Sequence, residues 1–338
     1  MNQVYQDKNG FIWIATRNGF DRYDGSQFQT FHKTRKPGSM LSEHVTCMLE
    51  DAAGHLLVGM DKGLQAYDED TRRFRTIPFI INKEDTLKAC HVMSILQVRN
   101  GDVWVSTSGF GMYVIPSGKD EAHYTLMFEG DNNVEDMVEA SDGSVWLAVT
   151  NYGIYCRKDG KVSRYLCEKA SVLGRCCLAF DSEGHLFMGS ASEGLFVFDN
   201  SSDAFSPVAG TGHLNVSVLC PLSDGRVMLG TDGEGAMVYR FGERSPQPCD
   251  YFHAQVDLEH AKISSILEDR DGNIWLGLFQ KGVFMQPHQD SGFSYVGYKS
   301  GRYDIIGSAC VMSVYAGKDC TLSVSYTHLR AHETKANL

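Results

Sequence analysis

The sequence predicts an all-β fold, a seven-bladed β-propeller of four-stranded antiparallel blades, on three observations. A glycine-anchored unit recurs seven times at blade-sized spacing, each unit reads as four short strands between turn residues, and no helical period appears. The anchors are Gly10, Gly54, Gly101, Gly143, Gly184, Gly225 and Gly272, at intervals of 44, 47, 42, 41, 41 and 47 residues.

The strand before each anchor reads as Gln3–Gln6, Val45–Leu49, Val92–Leu96, Val134–Val138, Cys176–Phe180, Val216–Leu219 and Ile263–Leu267. Asn or Asp precedes five anchors (Asn9, Asn100, Asp142, Asp224, Asp271), so each anchor marks a tight hairpin with positive φ.

The second strand opens two positions later. Three positions after the anchor stand Trp13, Leu57, Trp104, Trp146, Phe187, Met228 and Trp275, inside apolar triplets that do not alternate. Such a strand is buried on both faces, and without helices it must pack between neighbouring sheets. Five positions after the anchor every residue is small: Ala15, Gly59, Ser106, Ala148, Gly189, Gly230 and Gly277. Small residues there permit close backbone approach.

A second glycine (Gly19, Gly63, Gly111, Gly153, Gly194, Gly235, Gly282) starts the third strand, as in Leu64–Tyr67, Leu195–Phe198 and Ala236–Tyr239. The fourth holds Phe28–Phe31, Phe74–Phe79, Val162–Leu166 and Phe293–Tyr298. Units of this length with four strands fit blades better than the shorter rungs of a β-helix or a pair of sandwiches. WD-type blades are disfavoured because no Gly-His…Trp-Asp signature occurs.

The expected organisation is a propeller over 1–300, the first strand of an eighth unit over 301–322 and a non-native tail over 323–338, which reads like adapter-derived sequence. Because Met1 stands directly before the first strand, the chain is expected to be an internal piece of a longer protein.

Composition bounds the function. The chain has 338 residues, 43% apolar and 22% charged, enough for a large core and against wholesale disorder. A net charge of -11 argues against nucleic acid and anionic membrane as partners. No apolar run approaches the roughly 18 residues that cross a bilayer. The ten cysteines form no C-x-x-C pair, which removes the common zinc and redox patterns. Strand cysteines such as Cys47, Cys156, Cys176 and Cys177 read as small buried apolar residues.

The units Asp7–Gly25 and Asp269–Gly277 resemble the two-component regulator propeller repeat, roughly D-x-x-G-x-[IL]-W-[IV]-G-T-x-x-G-L-x-x-[YF]. The resemblance runs from Asn2 to about Leu322. Leu57, Phe187 and Met228 depart from the tryptophan, and threonine follows the small residue only at Thr16, Thr107 and Thr231. The resemblance implies the extracytoplasmic, periplasmic sensor region of an inner-membrane hybrid histidine kinase, responsive to glycan breakdown products. It also implies a second propeller, a dimer partner, and membrane and kinase segments outside these residues. No phosphoacceptor histidine or nucleotide-binding box is present.

Blade geometry places a ligand where the loop after the second strand meets the entry to the first. The loops offer Arg17, Asn18, Asp61, Lys62, Phe110, Asn151, Tyr152, Glu193, Asp232, Glu234, Phe279, Gln280 and Lys281. Ten positions before the anchors stand His44, His91, Asn133, Gly174, Asn215 and Lys262. An oligosaccharide or other small molecule with a carboxylate needs this mixture of aromatic faces, amides and cations. Phe110 and Tyr152 lead, followed by Phe279, because the alignment gives exposed aromatics there no core role.

His44 and His91 share a column in adjacent blades, but two histidines without a third ligand argue against a metal, and no cofactor or catalytic residue is expected. A propeller enzyme like streptogramin lyase and a protein-interaction scaffold are the competing readings. An eighth unit favours an array over a one-propeller enzyme.

Overall fold

The computed structural model describes residues 1–82, 85–128, 133–249, 257–288, 311–316, 321–326 and 335–337. The chain divides into two units, one comprising Met1–Cys249 with Ala261–His288, the other Asp250–His260 with Gln289–Leu338.

The first unit holds seven antiparallel sheets in chain order. Their first strands are Gln3–Gln6, Val45–Glu50, Val92–Gln97, Val134–Glu139, Cys176–Phe180, Val216–Pro221 and Ile263–Glu268, and each lies against the first strand of the next sheet round a closed ring. These strands form the inner wall of the propeller.

Every second strand is buried along its whole length. The four indoles are between 1% and 8% exposed, sealed between neighbouring blades as the unalternating triplets require. The small column has a steric cause. A Cβ on Gly59, Gly189 or Gly230 would lie 2.8 Å or less from the branched side chain of Val92, Val216 or Ile263. Each of these opens the first strand of the following blade, so the next blade docks into the space that glycine leaves.

The anchor turns differ in detail from the expected tight hairpin. The glycines alone take positive φ, between +80° and +90°, while the preceding Asn or Asp does not. In blade 1 the amide of Gly10 donates to the carbonyl of Asp7 at 3.0 Å, and the amide of Asp7 to that of Phe11 at 3.0 Å, which is a four-residue loop closed by glycine.

Two side chains can brace this loop. Asp7, Asp51, Asp181 and Asp269 accept amides four residues on, and Asp7 and Asp269 also accept the indole N–H of Trp13 at 2.7 Å and Trp275 at 2.8 Å. Where Val98, Ala140 and Leu222 stand instead, Asn100, Asp142 and Asp224 accept the amide two residues on.

Three blades depart from four strands, or from the expected absence of helix. Blade 3 has six strands, because the linker from blade 2 folds into a short hairpin, Phe79–Ile80 and Thr86–Leu87, laid parallel along Ala122–Tyr124. Phe79 therefore belongs to blade 3, although the sequence placed it in the fourth strand of blade 2, which ends at Ile77. A helical turn, Ala170–Leu173, precedes blade 5. Blade 7 shows three described strands, and its expected fourth, Phe293–Tyr298, lies outside the described residues, as does the boundary near residue 300.

In the second unit Val311–Ala316 pairs with Thr321–Tyr326, which pairs with Lys335–Asn337. The pairing continues past residue 322.

Candidate functional site

One end of each blade carries both predicted residue sets. The amide opening the second-strand loop donates to the carbonyl that heads the first strand: Asp61 to His44 at 3.2 Å, Ser108 to His91 at 2.9 Å, Thr150 to Asn133 at 3.0 Å, Asp232 to Asn215 at 2.9 Å and Phe279 to Lys262 at 2.8 Å. Head and loop are thus locked together by backbone, which frees their side chains.

Threonine after the small residue closes this loop. The hydroxyls of Thr16, Thr107 and Thr231 donate to the carbonyls of Gly19, Gly111 and Gly235 at 2.7, 2.7 and 2.8 Å.

Blade 5 breaks the spacing rule. Ala191 donates to Arg175, not to Gly174, at 2.9 Å. The reason is a β-bulge near the head of the first strand in blades 2, 3, 4, 6 and 7, where the register shifts by one residue, and which blade 5 lacks. Arg175 replaces Gly174 as the blade 5 head residue.

Phe110 and Tyr152 occupy the same position, one before the second glycine, in adjacent blades 3 and 4. Both are solvent-facing, at 49% and 48% exposure, and Phe279 in blade 7 is at 45%. Phe279 opens its loop rather than closing it, so it is not in their column. Asn151 and Gln280 sit at matching loop positions with φ of +63° and +58°. Asn151 is thereby explained as a turn former, whereas Gln280 holds a conformation that side chains other than Asn and Asp rarely adopt. Arg17 is exposed in the loop of blade 1.

At the head positions, His44 and His91 are half-buried with ring centroids 5.7 Å apart and planes at 73°. Burial, then the neighbouring His44 and, further down, Arg175, hold His91 below the usual imidazole range, with Asp61 opposing. Neutral rings are favoured, suited to hydrogen bonding. Among the described residues no group of three or more His, Cys, Asp or Glu is placed to hold a metal ion. Lys262 bonds Asp232 at 2.6 Å, so its charge is spent inside the loop end. Asn133 and Asn215 are half-buried, tied through their carbonyls.

The spacing argument missed several groups. Glu135, the bulge residue of blade 4, meets Arg175 at 3.4 Å and accepts the amide of Cys176 at 3.3 Å. Asp136 beside it accepts the amide of Leu178 at 2.8 Å. One carboxylate oxygen of Asp61 is buried without a hydrogen-bond partner. Their only sequence signal was the acidic pair in an otherwise apolar strand.

The geometry defines a propeller with a rigid loop end that presents aromatic, amide and cationic side chains. The chain carries two-component regulator propeller repeats: the profile of the Two component regulator propeller family matches residues 1–18 and 257–280.

Among solved structures the fold matches the extracellular domain assigned to the hybrid two component system BT3049 of B. thetaiotaomicron, 19% identical with a TM-score of 0.69, over 99% of this chain and 52% of that one. The corresponding BT4673 domain of the same organism is 14% identical, TM-score 0.70, over 99% and 51%. This chain therefore spans about half the length of either structure. A catalytically inactive virginiamycin B lyase of Staphylococcus aureus, solved with quinupristin, is 12% identical, TM-score 0.64, over 84% and 93%. No curated protein matches in sequence. Among the described residues no helix is long and apolar enough to cross a membrane.

Proposed function

We propose that this chain is a non-catalytic ligand-sensing propeller from the extracytoplasmic part of a hybrid two-component sensor, and that it recognises glycan breakdown products at its loop end. The observation that carries the reading is the exposure of Phe110 and Tyr152 in one column of adjacent blades, on loops whose backbone is already fixed. Aromatic faces take the C–H surface of a sugar ring, while the half-buried imidazoles of His44 and His91 and the amides of Asn133 and Asn215 suit hydroxyls. Arg17 supplies the exposed cation for an acidic sugar. The family of the repeats supports the sensor reading. Signalling would require that ligand bind one arrangement of the full sensor better than another.

The test is a glycan array followed by calorimetry on the isolated chain. Phe110→Ala and Tyr152→Ala are each expected to weaken binding of the array-selected oligosaccharide about tenfold, the loss of one stacked ring. Unchanged affinity in both variants overturns the site. The likeness to virginiamycin B lyase favours a second reading, a propeller enzyme. Turnover of quinupristin by this chain would replace the sensor reading with that one.

A further inference from the structure

At the anchor-turn end, remote from Phe110 and Tyr152, a cleft of about 240 Å³ opens between blades 2 and 3. Its floor is Leu57, Ala66 and Ile77 of blade 2 and Val103 and Ile115 of blade 3, all buried. The cause lies in one cross-strand pair. Three positions after the anchor, the second strand pairs with the third as Trp13 with Arg22, Trp104 with Val114, Trp146 with Cys156, Phe187 with Val197, Met228 with Val238 and Trp275 with Met285. Blade 2 pairs Leu57 with Ala66, the smallest combination of the seven. In blade 1 the indole fills the seam and Arg22 lies over it, with its guanidinium 5.7 Å from the ring centre. In blade 2 both are missing, and the space they would take faces solvent.

The rim gives the cleft polarity. Arg75 of blade 2 meets Asp120 of blade 3 at 2.8 Å, and Asp51 meets His55 at 3.2 Å. Lys119 stands on the same rim and makes no ion pair among the described residues. An apolar cavity of roughly 150 Å³ already accepts benzene, so this one has room for a bicyclic ring.

We propose that the cleft between blades 2 and 3 binds a small aromatic carboxylate, its ring on the Leu57–Ala66 floor and its anion at Lys119. The ring restores the packing that tryptophan provides elsewhere, and the carboxylate meets the one rim cation left without a counter-ion among the described residues.

Calorimetry of the full chain with indole-3-acetate, indole and tryptamine tests this. Indole-3-acetate should bind saturably, indole several-fold more weakly and tryptamine weakest. Leu57→Trp, which fills the cleft from within, should weaken indole-3-acetate about tenfold or more without lowering Tm. Ala66→Val, a smaller filling that the fold accepts in blades 5 and 6, should weaken it in the same sense. Phe110→Ala should leave it unchanged, which separates this site from the loop end. No saturable binding, full binding in both filled variants, or tryptamine matching indole-3-acetate overturns the proposal.

Discussion

Asp136 stands in the inner strand of blade 4 with one carboxylate oxygen on the amide of Leu178 in blade 5 and the other on Met137. Burial pushes its pKa up to about 6, the two amides pull it down without winning, Glu135 adds to the rise and Arg175 opposes it. A carboxyl raised from 3.8 to about 6 on folding binds protons more tightly when native, so stability falls as pH rises through that window and is level above it. Asp136→Asn removes this titration. Relative to the parent, the variant should gain on the order of 2 kcal/mol between pH 4 and 6.5. Urea midpoints at half-unit steps measure the difference, and a pH-independent one contradicts the account. Nothing in the sequence marked this residue, because an acidic pair in an apolar strand looks the same whether it faces solvent or the next blade.

Sequence reasoning located the strands well where a physical column defines them. Gln3–Gln6, Cys176–Phe180, Ala236–Tyr239 and Phe28–Phe31 fall where expected, since turn glycine and buried triplet bracket them. It failed where neighbours decide, as with Phe79, which leaves blade 2 to edge blade 3. The head residues were legible except in blade 5, where the missing bulge moves the register from Gly174 to Arg175.

A further column went unread. Four positions before the anchor stand Gln6, Glu50, Gln97, Glu139, Phe180, Pro221 and Glu268. The five polar ones each accept a backbone amide from the anchor turn of the preceding blade: Arg270 to Gln6, Lys8 to Glu50, Ala52 to Gln97, Arg99 to Glu139 and Ser223 to Glu268. They latch one blade's turn to the next blade's inner strand. Phe180 and Pro221 cannot accept with their side chains, and at the seam between blades 5 and 6 His185 stacks on Phe241 at 3.8 Å instead. Glu139→Ala should therefore cost about 1–2 kcal/mol, because the amide of Arg99 loses its charged acceptor. Glu139→Gln should recover most of it, as Gln does naturally at 6 and 97. Denaturant midpoints read the pair, and equal losses in both variants refute the latch.

At the scale of the whole ring, blade 1 meets blade 7 without a strand shared between them. Six seams are crossed by continuous chain, but this one relies on side chains alone. Trp275 packs on Val4, Ile12 and Ile14, the amide of Val4 donates to the Ser265 hydroxyl at 2.9 Å, and the Arg270 guanidinium donates to the carbonyls of Lys8 at 2.6 Å and Asp7 at 2.8 Å. Blades touch only their neighbours round the ring, so a stress at one seam is local and opening begins where no chain holds the edges. Arg270→Ala removes the two donors to blade 1 but leaves the indole in place. The loss should be about 1 kcal/mol, a fall in Tm of roughly 2–4 °C. Hydrogen exchange should quicken first at amides of Gln3–Gln6 and Ile263–Glu268, while the second strands of blades 3 to 5 exchange as before. Uniform acceleration round the ring, or a change centred on blade 4, would mean that the seven seams open together and that closure has no weakest point.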